Sequence, residues 1–172
     1  NVSIKNYIPG YSMYDLLNSL PVSEIESPAI LALFSKAGEL LAKMHNTVQF
    51  DSFYKKITEI GDLNAQNTWD VLFKTQWEEN IEDASQYKAF QPLIDDLYAF
   101  YRDKISLIED ESCPVMFHND YQTQNIIIRE KESNLPHISP EKYEIIGLID
   151  FDNWRIGPRA QDFVKIEYWS IK

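Results

Sequence analysis

The chain has 172 residues, of which 44% are hydrophobic and 13% aromatic, which suits a single folded domain with a hydrophobic core and excludes an intrinsically disordered chain. Its formal net charge of −11 disfavours a nucleic-acid partner, since phosphate backbones are bound by clustered Lys and Arg, and it is compatible with a cationic substrate or with solubility alone. One cysteine, Cys113, and no long apolar run are typical of a cytoplasmic protein that has neither an intrachain disulfide nor a membrane span.

Helical periodicity dominates the chain before residue 110. An extended segment over residues 1–8 ends at a Pro9-Gly10 turn, and Ser12 is a candidate N-cap for the first helix. We interpret the apolar and aromatic stripes on the helices as packing surfaces and His45 as a structural histidine. Residues 22–27 are expected to form a polar connection. Helices are predicted at Met13–Leu20, Pro28–Asn46, about 68–84, 92–109 and 161–170.

The most informative stretch is a polar loop between two short apolar runs, Pro114–Phe117 and Ile126–Ile128. Both runs are too short for helices and rich in β-branched residues, so they are predicted to be buried strands. The loop between them carries His118, Asp120 and Asn125. A rigid scaffold on both sides fixes the positions of loop side chains, which makes this loop a good place for chemistry.

A third apolar run, Ile145–Ile149, ends in the carboxylates Asp150 and Asp152. If it pairs with Ile126–Arg129 as a hairpin, Asp150 returns close to Asn125. Three oxygen-bearing side chains, those of Asp120, Asn125 and Asp150, would then meet at one end of the sheet. Hard oxygen ligands of this kind suit Mg²⁺, which takes one or two carboxylates and binds substrate phosphates.

The pattern His118-x-Asp120-x-x-x-x-Asn125, followed by Ile149-Asp150-Phe151-Asp152, resembles the catalytic and metal-binding motifs of the aminoglycoside phosphotransferase and choline kinase family, relatives of the protein kinases. Three more segments match this family in order. They are Tyr7–Gly10 for its hinge exit, Leu40–His45 for its L-A-x-L-H helix, and Gly157–Phe163 for its G-D-P-x-x-D-L segment, in which Arg159 and Gln161 are not typical.

The resemblance implies an α+β, mostly helical fold, namely the C-terminal lobe of a protein-kinase-like structure with a small β-hairpin that carries the motifs. Residues 1–172 would form a single partial domain, with 1–10 as a hinge-like segment and 11–172 as the lobe, truncated at both ends. The family's N-terminal lobe, with its phosphate-covering loop and lysine, would precede Asn1. We therefore expect this chain alone not to transfer phosphate efficiently, because positioning supplies most of the catalysis.

The function that the resemblance implies is an ATP-dependent phosphotransferase that uses Mg²⁺ and moves the γ-phosphate to a hydroxyl of a small molecule. The catalytic residues would be Asp120, as the base, and His118, which braces the loop. Asn125 and Asp150 would hold Mg²⁺.

Four further residues receive binding or supporting roles from the same resemblance. Tyr7 and Ile8 would bind the nucleotide cofactor at the hinge. Asp152 would support the metal site or contact substrate, and Asp162 would anchor the catalytic loop.

The acceptor and two other classes of function stay open. Family acceptors include aminoglycosides, choline, homoserine, methylthioribose and fructosamine-type sugars, and we favour an aminoglycoside phosphotransferase-like enzyme with a small, cationic hydroxyl substrate. One alternative is a pseudokinase or nucleotide-binding regulatory module without turnover. The other is a metal-dependent hydrolase that uses His118, Asp120 and Asp150, although the chain has only three histidines.

Overall fold

The structure is a computed structural model that describes residues 8–54, 68–108, 113–131, 134–136 and 139–164. It confirms the α+β class, with about half of the chain helical and small antiparallel sheets. The helices are α1 Met13–Ser19, α2 Val22–Ile25, α3 Pro28–Thr47, α4 Trp69–Ser85 and α5 Gln91–Lys104, with 3₁₀ turns at Ile105–Ile108 and Phe151–Asn153. The strands are β1 Tyr11–Ser12, β2 Val115–Phe117, β3 Ile126–Glu130, β4 Tyr143–Leu148 and β5 Arg155–Gly157.

The described residues divide into two compact units. The first comprises those up to residue 47, 118–154 and those from 160 onward, and the second comprises 48–117 and 155–159. None of the helices in the described ranges is long and apolar enough to cross a membrane.

The first unit is built on a three-stranded sheet in the order β1-β3-β4. β3 and β4 form the predicted antiparallel hairpin, in which Ile126 pairs with Leu148. β1 adds to the other edge of β3, next to Gly10, where a Cβ atom would lie only 2.5 Å from the carbonyl oxygen of Ile128. A glycine is therefore required at this close approach. α1 and α3 pack on the sheet around a core of Met13, Leu16, Ala29, Ile30, Leu33, Ala37, Leu41, Tyr121, Ile126, Ile128 and Tyr143.

The second unit contains α4, α5 and a two-stranded sheet of β2 and β5. Its core is formed by Phe53, Trp69 and Leu72. The aromatic stripe of α4 packs as predicted. The stripe of α5 is only partly covered: Tyr101 stacks on Trp77 with ring centroids 5.1 Å apart, whereas Leu93 is 51% exposed.

The helix predictions hold closely in the described ranges. Ser12 caps α1 by accepting a 3.0 Å hydrogen bond from the backbone N–H of Asp15, and α3 ends one residue beyond the predicted end. Residues 22–27, predicted to be a polar connection, include the one-turn helix α2. The helix predicted over 92–109 changes to 3₁₀ geometry at Ile105. Predictions for residues 1–7 and 165–170 lie outside the described residues.

Candidate active site

One buried carboxylate holds the start of the loop formed by residues 118–125, hereafter the 118–125 loop. Asp162 is 1% exposed, and its Oδ2 and Oδ1 atoms accept hydrogen bonds from the backbone N–H groups of His118 at 2.9 Å and Asn119 at 2.8 Å. His45, in the last turn of α3, places its Nε2 atom 2.8 Å from the same Oδ2 atom. His45 thus has the structural contact that the sequence predicted, and Asp162 ties α3 to the 118–125 loop.

Tyr121 fixes the middle of the loop to α3. Its side chain is 1% exposed, and its hydroxyl donates a 2.6 Å hydrogen bond to the backbone carbonyl of Ala37. Burial, and then the negative charge of Asp162, raise the pKa of the Tyr121 hydroxyl well above its ordinary value. The hydroxyl therefore stays protonated, as its role as a donor requires.

Asp120 and Asn125 are in direct contact. The side-chain Nδ2 atom of Asn125 donates to the backbone carbonyl of Asp120 at 2.9 Å and to its Oδ2 atom at 3.0 Å. Because the amide nitrogen is committed to Asp120, the remaining polar atom of this side chain is the oxygen Oδ1, which can only accept or coordinate. The spacing of five residues therefore closes the loop on itself.

Gln122 is a contact that sequence reasoning missed. Its Nε2 atom donates to the Oδ2 atom of Asp120 at 3.1 Å, so two amide donors converge on one carboxylate oxygen. Its backbone carbonyl also accepts from the N–H of Asn125 at 2.9 Å. A glutamine two residues after an aspartate carries no signal of its own in the sequence, because the contact depends on how the loop turns.

His118 joins the loop to the residue before Asp150. Its Nε2 atom lies 2.8 Å from the backbone carbonyl of Ile149, and since a carbonyl can only accept, Nε2 carries the proton. Nδ1 is buried and has no hydrogen-bond partner among the described residues. The ring also contacts Phe151, with centroids 4.5 Å apart. This geometry fits a bracing residue.

Asp150 follows β4 directly. The backbone N–H of Ile149 donates to the carbonyl of Asn125 at 3.0 Å, which brings the end of β4 to the end of the 118–125 loop. Asp150 is exposed, with a left-handed backbone of φ 65°. Asp152 is also exposed, within the 3₁₀ turn that follows.

The two residues predicted to bind the nucleotide lie at the edge of the described chain. Tyr7 is outside the described residues. Ile8 packs over β4, where a Cβ atom on Gly147 would lie 3.0 Å from the Cδ1 atom of Ile8. Ile8 is therefore on the sheet that carries the hairpin.

The donor set of the site suits Mg²⁺ rather than a metal held by protein alone. Within the described ranges, no group of three or more His, Cys, Asp or Glu side chains is arranged to hold a metal ion. Asn125 and Asp150 offer an amide oxygen and a carboxylate, and Mg²⁺ is commonly bound by one or two such ligands together with substrate phosphates. The hydrolase hypothesis fits less well, because His118, Asp120 and Asp150 do not form such a group in the described part of the chain.

Comparison with known proteins confirms the family resemblance. A family model described as the phosphotransferase enzyme family matches residues 6–171. No curated protein gives a significant match. The family match spans nearly the whole chain and includes the 118–125 loop and the end of β4, and it implies kinase-like phosphotransfer, for which such families generally use ATP and Mg²⁺. The chain belongs to the phosphotransferase enzyme family, the family of the aminoglycoside phosphotransferases and choline kinase-like enzymes.

Proposed function

We propose that the chain forms the catalytic and metal-binding part of an ATP-dependent kinase that moves the γ-phosphate to a hydroxyl of a small molecule. In this proposal the described residues correspond to the C-terminal lobe of a protein-kinase-like fold. The observation that supports it is the contact of Asn125 with Asp120, together with the backbone hydrogen bond from Ile149, the residue before Asp150, to Asn125.

Asp120 acts as the base in this proposal. The amides of Asn125 and Gln122 both donate to its Oδ2 atom, which fixes the plane of the carboxylate. A base held in one orientation can align the acceptor hydroxyl with the γ-phosphate and then take its proton, and positioned acid–base groups of this kind contribute about 10²- to 10⁴-fold to rate.

Asn125 and Asp150 would hold Mg²⁺ through the Oδ1 atom and the carboxylate. When bound, the ion neutralises charge on the phosphate oxygens. The protein's part is to hold both ligands in place: Asn125 is fixed by its two bonds to Asp120, and Asp150 by the attachment of Ile149 to both Asn125 and His118. Tyr7 and Ile8 would contact the nucleotide, and Asp152 would lie beside the metal or the acceptor.

For the acceptor we propose a small cationic molecule with a free hydroxyl, of the kind used by aminoglycoside phosphotransferases. The net charge of −11 supports a cationic acceptor, because an acidic protein concentrates cations near its surface. Choline, homoserine and amino sugars are the competing acceptors of similar chemistry.

The test is ADP release by the full-length protein that carries this chain, supplied with Mg-ATP and a panel of aminoglycosides, choline and amino sugars. We expect one class of acceptor to accelerate ADP release, and we expect the acceleration to vanish in Asp120→Asn. If the protein binds nucleotide but no acceptor accelerates ADP release, the proposed enzyme activity is wrong, and a regulatory pseudokinase becomes the better hypothesis.

A further inference from the structure

Two residues other than glycine have left-handed backbones in the part of the chain that the structure describes, and both lie at the candidate site. They are Asn119, with φ 63°, and Asp150, with φ 65°. Residues with a Cβ atom seldom adopt this conformation, and Asn and Asp are enriched among those that do. Strained backbone of this kind persists only where surrounding contacts hold it, and it concentrates at functional sites.

The contacts that hold these two residues connect them. The side-chain Nδ2 atom of Asn119 donates to the backbone carbonyl of Asn153 at 3.1 Å. One residue earlier, His118 donates to the carbonyl of Ile149 at 2.8 Å. The two neighbouring side chains are therefore hydrogen-bonded to the two ends of the segment 149–153, and Asp150 lies between those ends.

The backbone of Asn119 is itself held from the other side. Its N–H donates to the buried Oδ1 atom of Asp162 at 2.8 Å. The left-handed turn at position 119 lets the backbone face Asp162 while the side chain reaches Asn153. Position 119 thus has two requirements, a residue that tolerates positive φ and a side chain that donates a hydrogen bond. Asparagine meets both, whereas glycine meets only the first.

We propose that Asn119 is a positioning residue for the metal site. Asn119 holds the segment 149–153 so that the Asp150 carboxylate is already in position to bind the Mg²⁺ of a nucleotide. This inference rests on the proposed function. Side chains that orient a ligand without touching the metal commonly change metal affinity when they are removed. Asn119 would act on Asp150 through the backbone and would not contact nucleotide or acceptor.

The test separates the side chain from the backbone turn. Asn119→Gly keeps the left-handed conformation and removes the donor, and Asn119→Asp keeps the size and replaces the donor with an acceptor. Gln124→Ala, at an exposed position of the same loop, is the matched control. The affinity of the full-length proteins for ADP is measured calorimetrically with and without Mg²⁺, and hydrogen exchange over 149–153 is followed in the metal-free proteins.

We expect Mg²⁺ to strengthen ADP binding to the wild-type protein. In both Asn119 variants, the factor by which Mg²⁺ strengthens ADP binding should be about fivefold to tenfold smaller, which corresponds to the loss of one hydrogen bond. Affinity for ADP without Mg²⁺ should not change, and exchange over 149–153 should be faster. Gln124→Ala should match the wild type.

The outcomes separate this inference from the proposed function. If Mg²⁺ does not strengthen ADP binding to the wild-type protein, the metal role of the site is wrong, while the exchange measurement still reports whether Asn119 holds the segment. If the wild type gains from Mg²⁺ and Asn119→Gly keeps the full gain, the inference is overturned. It is also overturned if the variant loses ADP affinity equally with and without Mg²⁺, which would indicate general loosening of the loop.

Discussion

Replacing Asp120 with Asn is expected to lower kcat about a thousandfold while the KM for ATP changes little. The substitution removes the negative charge of the only carboxylate in the 118–125 loop. It leaves a side chain of the same shape, whose own oxygen can still accept hydrogen bonds from Asn125 and Gln122. The loop should therefore keep its structure and lose the base. The measurement is steady-state kinetics of the full-length protein with the acceptor found by the ADP-release panel.

The control for this prediction is Asp95→Asn, at an exposed position of α5, which should leave both constants unchanged. Thermal unfolding of both variants reports whether the fold is intact. A decrease in kcat of less than about tenfold would remove Asp120 from the role of base, because positioned bases contribute at least about a hundredfold.

The substitution Asp162→Ala should lower the free energy of unfolding by about 3–5 kcal/mol, more than His45→Ala or Asp95→Ala. It leaves three donors without an acceptor, namely the backbone N–H groups of His118 and Asn119 and the Nε2–H of His45. All three face a carboxylate that is 1% exposed, so water does not readily replace it. Urea unfolding of the chain, followed by circular dichroism, measures the change.

Two comparisons make the Asp162 prediction specific. Asp95→Ala, which removes an exposed carboxylate, should change the free energy of unfolding by no more than about 0.5 kcal/mol. His45→Ala leaves the two backbone bonds to Asp162 intact, so it should cost less than Asp162→Ala. Equal losses for Asp162→Ala and Asp95→Ala would show that this carboxylate does not hold the 118–125 loop.

The parts of the fold that follow from local pattern could be predicted from the sequence. α3 has a proline in its first turn and apolar residues at helical spacing, and the β3–β4 hairpin joins two β-branched runs. The shortest elements could not be predicted in this way. β1 has two residues and β5 has three, which is too few for a period to show, and their partners are far away in the chain.

In the candidate site, too, the features set by local sequence could be predicted and those set by distant contacts could not. The spacing from Asp120 to Asn125 is local, and so was visible in the sequence, as was the return of Asp150 through the hairpin. The contacts that hold the site were not visible. Asn119 reaches a carbonyl 34 residues away and His118 one 31 residues away, and the left-handed residues 119 and 150 lie at or next to these contacts.

The proposed role of Asn125 and Asp150 is to hold, together, the metal of a bound nucleotide. It is tested most directly by replacing Mg²⁺ with paramagnetic Mn²⁺ in the nucleotide complex of the full-length protein and recording which backbone amide signals broaden. We expect the signals of Asn125 and Asp150 to broaden first, and only when nucleotide is present, and we expect Asp150→Asn to abolish the effect. Broadening centred elsewhere in the chain, or none at these two residues although nucleotide is bound, would contradict it.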